Sequence, residues 1–223
     1  MLYVPVTQIS ALLGMHDYKT PSTALREIHN KPRDHPIYDT TRDLLRKTRF
    51  FQVFCKAPRI TPNLRVHARK IVDMACKKTG VRHKKPYAFF QKQRGILLEK
   101  KNTDLAEKRF NTKIFGRQRK IRKEFNDGQF CVLGQIDGED AEWCYEIKTR
   151  SSVLNVLPWE RVQLYFYCHI TRKPGRLVSF LGNEHSVWEC TLDDADKFVK
   201  FHMGKLCDAL RGKFHRPKCL ISY

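Results

Sequence analysis

Residues 129–149 read QFCVLGQIDGEDAEWCYEIKT, and this stretch decides the fold. Its apolar runs, 129–136 and 142–148, are rich in β-branched and aromatic residues. The turn opening at Asp137-Gly138 separates them, so the stretch predicts two neighbouring buried strands. Just upstream, Asn126-Asp127-Gly128 is a turn signal, and the basic run 112–125 reads as a strand or hairpin arm leading into it. Downstream, Pro158 opens a helix that reaches about His169. Residues 176–181 and 186–191 then form a hairpin around Gly182-Asn183. Asp193 caps a last helix whose buried stripe is Val199, Met203, Leu206 and Leu210.

The part before residue 112 is helical. Residues 6–13 predict a short helix capped near Thr7 and ended by Gly14, and Thr20-Pro21 opens another that runs to about His29. Two prolines make 30–37 a loop. Residues 40–55 and 62–79 read as basic helices with apolar stripes, marked by Leu44, Phe51 and Phe54 in the first and by Val66, Ile71 and Ala75 in the second. Gly80 closes the second, and a further helix covers 95–111. Helices followed by strands that are themselves flanked by helices predict one α/β domain over 1–223. Residues 1–90 form its basic, mainly helical part, and 91–223 its α/β core.

The 223 residues carry a formal charge of +20, and its distribution is uneven. Residues 42–125 hold 26 basic and 6 acidic side chains, whereas the segments on either side are each neutral. So much positive charge implies a polyanionic partner, with nucleic acid first. A hydrophobic content of 41% supports a real core and argues against global disorder. No apolar run is long enough to span a bilayer, and the N-terminus lacks the pattern of a secretory signal. Eight cysteines are scattered singly, without a CxxC pair. They predict reduced, mostly buried thiols in an intracellular, non-secreted protein.

The chemistry-bearing residues sit in the deciding stretch. Asp137 ends the first strand. Glu146 and Lys148, two apart in the second, point to one face, with Trp143, Tyr145 and Ile147 on the other. Charges on a core strand need pairing or a metal; an edge strand would leave them simply solvated. Convergent carboxylates suit a hard cation such as Mg²⁺, with Mn²⁺ as a substitute, in phosphodiester hydrolysis. Lys148 would position or deprotonate the attacking water and counter the negative transition state. Ile147 would offer its backbone carbonyl to the metal. Glu99 is the third carboxylate, because helical spacing places it on the face of Ala106 and Phe110. Pairing with nearby lysines is the alternative for Glu99, and Glu107 is a competing candidate on a more polar face. In the helix after the strands, Gln163 either orients a water or phosphate oxygen or is a satisfied core amide.

Four pieces thus stand in order: Gly95 to Glu99, Gly134 to Gly138, Glu146 to Lys148, and Gln163. They resemble the PD-(D/E)XK nuclease superfamily, and more narrowly the phage lambda exonuclease and YqaJ viral recombinase family. The opening VTQISALLGMHDYKTP, residues 6–21, is similar to that family's first segment. The resemblance implies a restriction-endonuclease-like central mixed sheet flanked by helices. It implies a Mg²⁺-dependent exonuclease that degrades one strand of linear duplex DNA from the 5′ end and leaves a 3′ overhang for a single-strand annealing partner. It implies a homotrimer or a monomer, often in a virus-infected cell. Glu99, Asp137 and Glu146 would bind metal, Lys148 would be catalytic and Gln163 would assist. Where the family has serine-proline before the aspartate, this chain has Gln135-Ile136. No arginine precedes residue 26, and Thr7 occupies the position of a phosphate-binding serine. A structure-specific endonuclease and a non-enzymatic basic DNA-binding protein are the alternatives.

The basic stretch reads as a phosphate-tracking surface giving salt-sensitive, sequence-independent affinity. Lys92 and Arg94 adjoin the Glu99 helix, and Arg117, Arg119 and Lys120 lie in the predicted strand arm. Phe89 and Phe90 are either core or base-stacking residues.

Overall fold

A computed structural model describes residues 1–30, 36–80 and 86–214. The chain is a mixed α/β protein with helices flanking two sheets. Strand β1 (Leu2–Pro5) leads into α1 (Val6–Leu12) and α2 (Pro21–His29), followed by α3 (Pro36–Arg46), α4 (Arg49–Lys56), α5 (Pro62–Thr79) and the long α6 (Pro86–Phe110). The second half holds β2 (Arg119–Phe125), β3 (Phe130–Ile136), β4 (Gly138–Glu139), β5 (Cys144–Thr149), α7 (Pro158–Thr171), β6 (Gly175–Leu181), β7 (Glu184–Cys190) and α8 (Leu192–Leu210).

The strands are ordered β1-β3-β2 in one sheet and β4-β5-β6-β7 in the other. β3 is parallel to β1 and antiparallel to β2; β5 is antiparallel to β4 and parallel to β6. One residue, Asp137, separates β3 from β4, and its amide donates to the Tyr145 carbonyl at 3.2 Å. A single run of chain therefore passes from one sheet to the other through Asp137. The hairpin turn before β3 has Asn126, Asp127 and Gly128 all at positive φ, which Asn, Asp and Gly tolerate best.

Among the described residues, three apolar clusters form the interior. The largest joins α1, α2, α7 and α8 to β2, β3 and β6, and includes Ile9, Val132, Leu164 and Leu206. A second is helical, with Leu45, Phe54, Val72 and Phe90. The third contains Ala106, Ile114, Tyr145, Ile147 and Val178. α6 feeds the helical cluster with its first turn and the third cluster with its last turns, and Glu99 lies between. Phe89 and Phe90 are core residues, Phe90 meeting Phe54 edge-on at 5.1 Å. The seven described cysteines are free thiols and all but Cys207 are buried. No described helix is long and apolar enough to cross a membrane.

Several local expectations change. Residues 40–55 are two helices, because Thr48 caps α4 by accepting from the Phe51 amide at 3.2 Å. The stripes shift too: Leu45 rather than Leu44 is fully buried, and α5 buries Ala68, Val72 and Cys76 while Val66 is exposed. α6 starts at Pro86 rather than at Gly95. The cap residue of α1 is Pro5, without a side-chain bond. Thr191, not Asp193, caps α8, accepting from the Asp194 amide while Asp194 bonds back to Thr191. In 112–125 a strand runs only from Arg119, preceded by a single antiparallel bridge between Phe115 and Glu139. The expected loop at 30–37 lies mostly outside the described residues.

Candidate active site

β5 lies between β4 and β6, so the solvated-edge reading of Glu146 does not hold. Glu146 is 3% exposed. Its Oε1 accepts from the Lys148 ammonium and, at 3.0 Å, from the Gln163 amide. The other oxygen, Oε2, is buried and has no hydrogen-bond partner among the described residues. A bare carboxylate oxygen inside a protein is costly, and it marks where a cation or donor is missing. Burial, reinforced by the nearby Asp137, pushes the Glu146 carboxyl up to about 7 despite Lys148.

Asp137 is placed by the seam between the sheets. Its Oδ2 accepts from the Ile147 amide at 2.7 Å and its Oδ1 from the Gln118 amide at 3.1 Å. Burial raises its carboxyl, and Lys148 opposes the shift. Lys148 is displaced upward: burial pulls its ammonium down, but Glu146 and Asp137 outweigh that and hold it above the usual lysine range. In a strand, one residue's N–H and C=O face the same edge. The Ile147 carbonyl therefore faces the edge where its amide meets Asp137, while its side chain packs into the third cluster.

Glu99 reaches this group through Gln118, whose side-chain NH₂ donates to both Glu99 Oε1 and Asp137 Oδ1. Gln118 Oε1 in turn accepts from Gln135. Burial and the Asp137 charge both raise the Glu99 carboxyl. Its side-chain partner is thus a glutamine rather than a helical lysine. Glu107 is committed elsewhere, accepting from the Ile114 amide at 2.9 Å and pairing with Arg117.

Asp137, Glu146 and Gln118 border a cleft of about 340 Å³ that Gln163, Tyr167 and Thr7 also line, among others, whereas Glu99 and Lys148 are not among its lining residues. It has room for a phosphate with several waters. The glycines of GQIDG are needed here. A Cβ on Gly134 would come within 2.6 Å of the Tyr167 ring, and one on Gly138 within 2.3 Å of Ile114. The Tyr167 hydroxyl accepts from Gln163 at 2.8 Å, so the ring that excludes a side chain at 134 also orients the amide facing Glu146.

Among the described residues, no three His, Cys, Asp or Glu side chains stand close enough to cage a metal. The donor set nevertheless fits a hard, water-retaining cation: Asp137 and Glu146 share one cleft, Glu146 Oε2 is unpartnered, and Glu99 is tied to Asp137 by one amide. Such a cation takes only one or two carboxylates and completes its shell with water.

The expected DNA-contact residues divide. Thr7 lines the cleft, and Lys92 and Lys120 are exposed. Arg117 pairs with Asp104 and Glu107, and Arg119 with Glu139 at 2.7 Å. Arg94 is a correction: it is 1% exposed, and its guanidinium donates to the carbonyls of Ala57, Pro58 and Arg150. It is a buried clamp between the helical part and the end of β5. Gln118, Gln135 and Tyr167 escaped the sequence reading. Positive φ at Gln118 marks an unusual loop, but only the fold shows it.

No protein-family model matches the chain, and no curated protein matches it. Among solved structures it is similar to one described as the crystal structure of SSO0001, with 18% identity, a TM-score of 0.41, and coverage of 77% of this chain and 83% of that one.

Proposed function

We propose that the chain is a divalent-metal-dependent deoxyribonuclease of the PD-(D/E)XK type, acting as an exonuclease on linear duplex DNA. The observation that carries this reading is the meeting of Asp137, Glu146 and Gln163 in one cleft, with Glu146 Oε2 buried and unpartnered among the described residues. Asp137 and Glu146, with the Ile147 carbonyl, would hold Mg²⁺ or Mn²⁺, and Glu99 would act through the ion's water shell. When bound, such an ion supplies charge neutralisation on the phosphate and a water of lowered pKa.

The chain's own groups supply the rest. The Ile147 amide fixes the Asp137 carboxylate. Gln163 gives both amide hydrogens to Glu146 and Tyr167, which leaves its carbonyl oxygen to accept from the attacking water. Held above the usual lysine range, Lys148 is an ammonium at neutral pH. Its ammonium is placed to act as countercharge to the phosphate. Lys92, Lys120 and the rest of the basic block grip phosphates without reading sequence. Degradation from the 5′ end, a 3′ overhang, a single-strand annealing partner, and a trimeric or monomeric assembly follow from the motif resemblance.

The test is hydrolysis of end-labelled linear duplex DNA with Mg²⁺ against EDTA. Glu146→Gln and Lys148→Ala should each abolish cleavage while leaving DNA binding intact. Cleavage of covalently closed circles would make the enzyme an endonuclease. Tight binding without cleavage under any divalent cation would leave a DNA-binding protein with structural carboxylates.

A further inference from the structure

Three aromatic rings gather around Trp159, one helical turn from the cleft residue Gln163. His16 stacks on Trp159, with centroids 4.8 Å apart and planes at 19°. Tyr18 meets both rings edge-on, Trp159 at 5.9 Å and 71°, and His16 at 6.3 Å and 76°. The Tyr18 amide also donates to His16 Nδ1 at 3.2 Å, which ties the loop to the stack. Yet Tyr18 is 81% exposed. Its ring is oriented by two neighbours while most of its surface faces water. A tyrosine has only two side-chain torsions to fix, so such a ring is a preformed surface for a flat ligand.

The position of this cluster identifies the ligand. Trp159 is one turn of α7 before Gln163, which bonds Glu146 in the cleft. Four helical residues span about 6 Å, under two base steps of about 3.4 Å. On the other side, α1 carries Thr7 at the cleft, and the His16–Tyr18 loop follows that helix.

We propose that Tyr18, backed by Trp159 and His16, is a stacking platform for one unpaired nucleobase, one or two nucleotides from the phosphate held in the cleft. This rests on the nuclease reading for the phosphate's place but not for the stacking itself. Every base has a π-face, so such a seat holds a strand end without selecting sequence.

Binding of a short 5′-phosphorylated single-stranded oligonucleotide, measured in EDTA so that nothing is cleaved, tests the platform. Stacking on one aromatic side chain is worth about 5- to 150-fold in affinity. Tyr18→Ala should weaken binding by about tenfold, a mid-range loss, and Tyr18→Phe should preserve it. A scan of single abasic positions should find one at which Tyr18→Ala costs nothing further, because the stacked base is already gone. Tyr18→Ala binding like the wild-type chain, or losing as much at every abasic position, would overturn the proposal and leave the rings as a seat for some other partner. Cleavage with Mg²⁺ is read separately. A nuclease without the stacking effect refutes the platform alone, and a stacking effect without cleavage refutes the nuclease reading alone.

Discussion

Glu146→Gln should make the protein more stable above neutrality in the absence of metal. Burial raises this carboxyl from an ordinary 4.5 to about 7. Below pH 4.5 both folded and unfolded chains carry the proton, and the site adds no penalty. As pH rises toward 7 the unfolded chain ionises first, so folding loses stability, and above 7 the loss is complete. A shift of this size corresponds to about 3 kcal/mol. Part of it returns in the variant as a cost, because Lys148 loses a partner; its side chain is 26% exposed, however, and it still faces Asp137. Removing one partner of a buried pair ordinarily destabilises, but here the raised carboxyl means that burial outweighs the pairing with Lys148, so a neutral, isosteric amide should gain about 2 kcal/mol at about pH 8. For a chain of this length that raises Tm by about 4–8 °C. Thermal unfolding in EDTA at about pH 5 and pH 8 measures it, and the gain should shrink to under about 1 kcal/mol at the lower pH. An advantage independent of pH, or a variant less stable than wild type at the higher pH, would show that Glu146 is not held in its neutral form by burial.

Stabilisation by Mg²⁺ should strengthen as pH rises through about 7, because the Glu146 proton must leave; calorimetry in two buffers of different ionisation enthalpy would register its release. Gln118→Asn keeps a residue suited to positive φ but is too short to bridge Glu99 and Asp137, so it should lower metal-free Tm and enlarge the Mg²⁺-induced rise. Arg94→Met leaves the carbonyls of Ala57, Pro58 and Arg150 without their donor. It should cost about 3 kcal/mol in urea unfolding, with the salt dependence of DNA binding unchanged. Neutralising Lys92 and Lys120 should instead lower the slope of log K against log salt by about 0.9 for each phosphate no longer neutralised, with cation affinity unaffected; a parallel fall in cation binding would contradict the separation of grip and chemistry.

The alternation of strands made the pairing of Glu146 with Lys148 legible in the sequence. Glu146 and Lys148 two apart, amid aromatic and apolar residues, had to share a face whatever the rest of the chain did. Gly134 stood out too, as a glycine inside an apolar run, and Gly138 as the turn residue after Asp137. Arg94 was not legible. It lies among arginines and lysines that look identical in sequence, and only the carbonyls of Ala57, Pro58 and Arg150 distinguish it. Gln118 lacked any signal as well, since its role depends on Glu99 and Asp137, each 19 residues away, being brought to it by folding. The caps show a milder ambiguity. In Thr191-Leu192-Asp193-Asp194, threonine and both aspartates can cap a helix, and the reciprocal bonds between Thr191 and Asp194 settle which does.

The passage of one run of chain through both sheets at Asp137 sets rules for how this sequence can vary in length. An extra residue at 126–128 is absorbed by a turn. One placed within 130–136 would exchange the faces of everything between it and the seam, moving Asp137 out of the cleft while β5 stayed in place. Loops at 126–128 and 152–156 are therefore where insertions and deletions should collect among descendants of this chain. Residues 130–149 should keep a constant count even where their identities drift.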